Sequence, residues 1–158
     1  MNDTLERPPA ADATEAAQSF VTLTLADQLC GVPVLAVRDI LAEQTITRIP
    51  LAPPEIAGSL NLRGRIVTAI DLRRRLNLPA AQVGAARMSV VAEQGGELYA
   101  LLVDQVSEVL RLPVAACEGN PPTLAPDWAA YSAGIYRLQG RLLVVLDVAR
   151  LLALAPRT

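Results

Sequence analysis

Apolar and polar positions alternate with a period of two along most of this chain, in short runs broken by glycine and proline. Phe20–Leu25 reads as a strand, and Cys30–Val34 as its return across a turn at Asp27 and Gln28. From Val34 to Leu41 the pattern fits two periods. Val34, Val37, Ile40 and Leu41 fall at helical spacing, whereas Val37, Asp39 and Leu41 alternate as a strand does. Pro50, Pro53 and Pro54 exclude a long element next, and Pro54 followed by Gly58 suits a single helical turn closed by a C-cap glycine. Leu60 and Leu62 then point opposite to Asn61 and Arg63, and Gly64 permits a tight hairpin. Ile66, Thr68 and Ile70 share one face of the returning strand, and Asp71 is placed to cap a short helix over Leu72–Leu76.

The same grammar recurs. Ser89–Glu93 and Leu98–Val103 pair across Gly95 and Gly96, and Val106, Val109 and Leu110 lead to Pro113. Residues 117–125 read as a loop, and Pro126–Ala133 as a short helix ended at Gly134. Gly134, Gly140 and Asp147 repeat Gly58, Gly64 and Asp71 at one common displacement of 76 residues. Val103, Val106, Val109 and Leu110 repeat Val34, Val37, Ile40 and Leu41 at a displacement of 69. The chain is thus two related halves, about 19–79 and 87–154, each with about five short strands and a closing helix, and it is expected to cross between the two near the end. Strands this few and short are best protected by closing into a small barrel. The expectation is a mainly β protein of two packed five-stranded barrels with short helices, and a groove between them for a partner.

Composition narrows the chemistry. Of 158 residues 52% are hydrophobic, which suffices for a core, yet no apolar run is long enough to span a membrane. Residues 1–18, with Pro8 and Pro9, read as a flexible arm, helical at most near Ala13–Gln18. The start lacks the features of a signal peptide, so a cytoplasmic protein is expected. A net charge of −2 and 3% aromatics argue against a nucleic-acid partner. The Arg73, Arg74, Arg75 run reads as the solvated side of the short helix. With no histidine, the histidine-dependent nucleophilic and acid–base schemes are excluded. Cys30 and Cys117 make a poor metal site and read as unrelated buried or partly buried thiols. A carboxylate enzyme would have to use Asp71 or Asp147, whose repetition at helix starts argues for capping instead. Neither metal nor cofactor is expected, and the sequence leans toward a binding module.

Asn61, Leu62, Arg63, Gly64 and Ile66, followed by Asp71, Leu72 and Arg73, resemble the signature of CheW-type chemotaxis coupling proteins. Phe20, Gly31, Val37, Thr47, Arg48, Ile49 and Gly58 continue the likeness, as does Val103–Leu110 in the second half. The resemblance covers about residues 19–154; Thr68 departs from it, standing where the family usually has proline. It implies two SH3-like five-stranded barrels, with strand, tight turn and strand over Val34–Leu41. It also implies a non-catalytic adaptor, recruited to receptor arrays from the cytoplasm. Such an adaptor joins the regulatory domain of a chemotaxis histidine kinase to the helical cytoplasmic tips of chemoreceptors. A coupling protein of a related pathway, such as one governing twitching motility, shares these features. Carried over by position, Val37 and Arg63 match sites implicated in receptor coupling, and Gly58, Val106 and Val109 match sites where coupling is sensitive. The residues themselves add Asp39, a carboxylate placed to hold the Arg63 guanidinium rigid. The plainer alternatives are a solvated hairpin arginine, ordinary core valines and a capping glycine. Asn61 and Arg63, which the second copy replaces with Arg137 and Gln139, are where function is expected to sit.

Overall fold

The computed structural model describes residues 16–153. Ten strands fold into two five-stranded sheets. They are β1 (Ala17–Leu25), β2 (Gln28–Pro33), β3 (Val37–Leu41), β4 (Ile56–Leu62), β5 (Arg65–Asp71), β6 (Met88–Gln94), β7 (Glu97–Val103), β8 (Gln105–Pro113), β9 (Ser132–Leu138) and β10 (Arg141–Leu146). Three single-turn helices, α1 (Leu72–Arg75), α2 (Pro126–Ala129) and α3 (Val148–Leu151), punctuate them.

Both sheets use strands from both halves of the sequence. The first has the order β8-β1-β2-β10-β9 and the second β3-β6-β7-β5-β4. Within each half the repeat is real, but the leading hairpin of one half completes the three later strands of the other. Parallel pairing of β2 with β10 and of β5 with β7 makes these joins. The expected division into barrels at about 19–79 and 87–154 is therefore corrected. One sheet takes residues 17–33 and 105–146, the other 37–103. The physical reason is that periodicity identifies equivalent hairpins without saying which copy each one pairs with. The chain crosses between sheets twice, through the 3-10 turn Val34–Ala36 and through Asp104, the single residue between β7 and β8.

Three apolar clusters hold this arrangement. Phe20, Tyr136, Leu143 and Val145 fill the first sheet's own interior. Leu60, Val67, Ala69, Val91, Ala100 and Leu102 fill the second's. A larger core, including Leu23, Cys30, Val144, Ile70, Val90 and Leu101, draws on both sheets. Central strands are thus buried on both faces, so alternate residues of Ala100–Val103 serve two different cores. Burial pushes the Cys30 thiol well above its ordinary pKa, with Asp104 adding to the effect, so it stays protonated and inert. Cys117, by contrast, is exposed.

Several local expectations change. Most of the proposed arm lies outside the described residues, and Ala17 and Gln18 are already strand. The first hairpin turns at Ala26 and Asp27, with Gln28 opening β2. Pro54 and Gly58 do not bracket a helical turn; Gly58 lies inside β4. Helix α2 ends at Ala129, and β9 begins three residues later. Asp71 and Asp147 do cap α1 and α3, accepting backbone N–H groups of Arg73 and Arg74, and of Arg150. The arginine run is not a solvated face, because only Arg74 is exposed. Arg75 donates to the carbonyls of Arg150, Leu151 and Ala153 at the end of α3 and lies over the Tyr131 ring.

Arg73 locks the second crossover. It makes two hydrogen bonds to Asp104, 2.9 and 2.7 Å long, and a third to the Pro79 carbonyl. Asp104 also accepts the Ala26 N–H at 2.8 Å, tying the first hairpin to the same point. Desolvation works against the Asp104 carboxylate. The Arg73 and Ala26 hydrogen bonds and the Arg73 and Arg87 charges outweigh it and hold its pKa below the usual carboxylate range. A carboxyl with a depressed folded pKa stabilises the fold above its unfolded pKa of about 4, and that share is lost as pH falls through the folded value. Asp104→Asn should therefore cost about 2 kcal/mol at pH 7. In a thermal-melting series from pH 7 to 3, the variant should lose less stability on acidification than the parent.

Candidate functional site

The β4–β5 hairpin closes in a two-residue turn, Arg63 and Gly64, both at positive φ. Asn61 makes this turn possible, because its Oδ1 accepts the Gly64 N–H at 2.9 Å. Asn61 is thus committed to the backbone. Arg63 projects outward with 77% of its side chain exposed, and its Nη1 lies 2.9 Å from Asp39 Oδ2. Asp39 sits on β3, at the opposite edge of the sheet from β4, so the pair spans the two ends of the strand order. Its other oxygen, Oδ1, accepts the Ile40 N–H at 2.8 Å, which fixes the carboxylate. An ion pair this exposed adds about 0–1 kcal/mol to stability. What it does is orient the guanidinium, leaving most of its donors free for a partner.

The remaining candidates separate. Val37 and Val106 occupy equivalent places on β3 and β8, and both pack half-buried against the shared core. The Val106 N–H contacts Met88 Sδ at 3.3 Å, a second structural attachment. Gly58 is a strand residue at a register shift opposite Ala69, directly beneath Thr47. Its surface role, if separate from packing, has no side chain to act through. Val109 differs from the other valines: it is 58% exposed on β8, the edge strand paired with β1 of the first sheet. Arg63 and Asp39 therefore come together, whereas Val106 and Val109 belong to the other sheet.

Two apolar residues missing from the sequence-based set flank the ion pair. Ile40 follows Asp39 directly, and Ile66 lies opposite Asn61 at the tip of the hairpin, 71% exposed. Alternation carries the signal for Ile66, since Val67 and Ala69 point into the barrel interior while Ile66 takes the outer face. Ile70, on that same face, is covered by the shared core, and Ile66 lies beyond its reach.

The shared core lies where the sheets meet. An apolar cavity of about 370 Å³ lies on the first sheet, against Phe20, Tyr136 and Val145. Asp71 and Asp147 are both engaged. Beyond its cap, Asp71 binds Arg87 at 2.7 Å, and Asp147 pairs with Arg150 at 3.4 Å. Among the described residues no three His, Cys, Asp or Glu side chains cluster to hold a metal ion. No described helix is long and apolar enough to cross a membrane.

A family model described as the CheW-like domain matches residues 19–155. The chain is similar to the chemotaxis protein CheW of Klebsiella aerogenes, 31% identical over 136 residues, covering 86% of this chain and 82% of that one. It is similar also to Protein FrzA of Myxococcus xanthus, 30% identical over 124 residues, with 78% and 76% covered. Among solved structures, the scaffolding protein TtCheW of Thermoanaerobacter tengcongensis superposes with a TM-score of 0.79. It is 27% identical, with 88% of this chain and 94% of that chain covered.

Proposed function

Since this chain belongs to the CheW-like family, we propose that it is a non-catalytic adaptor coupling chemoreceptors to the chemotaxis histidine kinase. In this reading the protein works in the cytoplasm, recruited to membrane-associated receptor arrays. Its partners are the kinase's regulatory domain and the helical receptor tip. The observation that carries the proposal is the Arg63–Asp39 pair at the signature hairpin. A guanidinium held by a fixed carboxylate, with Ile40 and Ile66 exposed beside it, suits a helix that offers a polar group and apolar anchors. Val109 would extend contact onto the other sheet. Val37, Val106 and Gly58 would affect coupling through the shape of the strands they hold.

Arg63→Ala tests this reading. The melting temperature should stay within about 2 °C of the parent, because the lost ion pair is exposed. Affinity for a receptor-tip fragment, measured by calorimetry, should fall about tenfold or more, as loss of an oriented interface arginine predicts. An unchanged affinity would remove Arg63 from the docking surface. A second reading, a coupling protein serving a related pathway such as twitching motility, shares the same fold and signature hairpin. Identification of the kinase that co-purifies from native lysate separates the two.

A further inference from the structure

Between β3 and β4 the chain forms a loop that presents charge and apolar surface together without using either. Arg48 and Arg74 line one cavity of about 560 Å³, whose walls include Asp71, Pro50 and Pro54. Most arginines among the described residues are paired: Arg38, Arg63, Arg73, Arg75, Arg87, Arg137 and Arg150 each have a carboxylate partner. Arg48 and Arg74 have none, and Asp71, the one carboxylate lining that cavity, is taken by Arg87 and the α1 cap. Leu51, on the cavity's rim, is fully exposed at a positive φ of 64°, and Ile49 beside it is also exposed. A leucine in the left-handed region costs about 1–2 kcal/mol, and here no burial offsets it.

This loop is nonetheless firmly held. Thr47 and Ser59 exchange two backbone hydrogen bonds of 2.8 Å, the Ile56 N–H reaches the Pro53 carbonyl at 3.0 Å, and the Asp71 N–H reaches Glu55 at 2.7 Å. Three prolines limit what remains. Unpaired guanidiniums and a projecting leucine on a backbone already held in place make a surface ready for a partner, with side-chain ordering the main cost left to binding.

We propose that Arg48, Arg74, Ile49 and Leu51 form a docking site, distinct from the Arg63 hairpin, for an acidic protein segment. That segment presents carboxylates to the two arginines and an apolar side chain to Leu51. The site does not depend on which pathway the protein serves, and its test is independent of Arg63. Isotope-labelled full-length protein is titrated at low salt with an N-acetylated glutamate–leucine hexapeptide and followed by amide NMR. Shifts should concentrate at Ile49, Leu51 and Arg74, and the double variant R48E/R74E should bind about tenfold more weakly. The charge-matched control R65E/R141E, altering two arginines that also lack ion pairs, should bind within about twofold of the parent. If R48E/R74E fails to fold, R48Q/R74Q takes its place with the same expectation. Equal losses in the two double variants, or equal binding of a lysine–leucine hexapeptide, would overturn the proposal. So would shifts spread evenly over Arg65, Arg111 and Arg141.

Discussion

Expressed alone, residues 16–86 are expected to give the narrow amide dispersion of an unfolded chain. This segment contains the whole first sequence repeat, so a barrel-per-half arrangement would let it fold. In the interleaved sheets it lacks β6 and β7, the partners of β3 and β5. Its own β1–β2 hairpin likewise loses β8 and β10. What remains are two separate hairpins and β3, and isolated hairpins are marginal in water. The shared core would also be cut, since Leu101 and Val90 pack into it together with Ile70 and Leu23. Adding residues 87–153 in trans should restore dispersed signals in both fragments. A folded 16–86 fragment would contradict the interleaving.

Gly58→Ala is expected to lower the unfolding free energy by about 3 kcal/mol, read as a shifted urea midpoint at unchanged slope. An added Cβ would run into the Thr47 carbonyl oxygen and stand 2.8 Å from Ile46 Cγ2. The Thr47 carbonyl cannot retreat, because its oxygen accepts the Ser59 N–H. The backbone at Gly58 is also at φ 150°, where a side chain adds strain. Gly134 repeats the device in the other sheet, beneath Cys117 and Glu118. Gly140→Ala is the comparison: its φ is also positive, but a Cβ there meets nothing within 4 Å. That variant should lose only the conformational share, about 1 kcal/mol. If Gly58→Ala is as stable as Gly140→Ala, close packing under Thr47 is not what requires glycine. Coupling defects at position 58 would then point to a surface contact.

The strand pairs, the capping aspartates and the hairpin hinge at Gly64 were legible in the order of residues, although Arg63, read as a strand residue, lies in the turn itself. These features are local, set by alternation, turn chemistry and caps within about ten positions, and the repeats were legible because such local patterns recur at a fixed displacement. Which hairpin completes which sheet was not legible, because equivalent segments of a repeat carry equivalent patterns. Arg73 and Arg75 were misjudged for a different reason: their carboxylate and carbonyl partners lie 31 and 76 positions away. Within the candidate site, the expectation that a carboxylate such as Asp39 could hold the Arg63 guanidinium matches the observed pair. The valines could not be sorted by sequence, since Val37, Val106 and Val109 share one pattern. Only Val109 lies on a face that no core covers.

The central claim is that one molecule holds two partners at once, with Arg63 facing the receptor. Its most direct test is size-exclusion chromatography of this protein with a receptor-tip fragment and the kinase's regulatory domain. The account predicts a single species containing all three, from which Arg63→Ala releases the receptor fragment while the kinase domain stays bound. Failure to bind either partner, or mutual exclusion of the two, would contradict it.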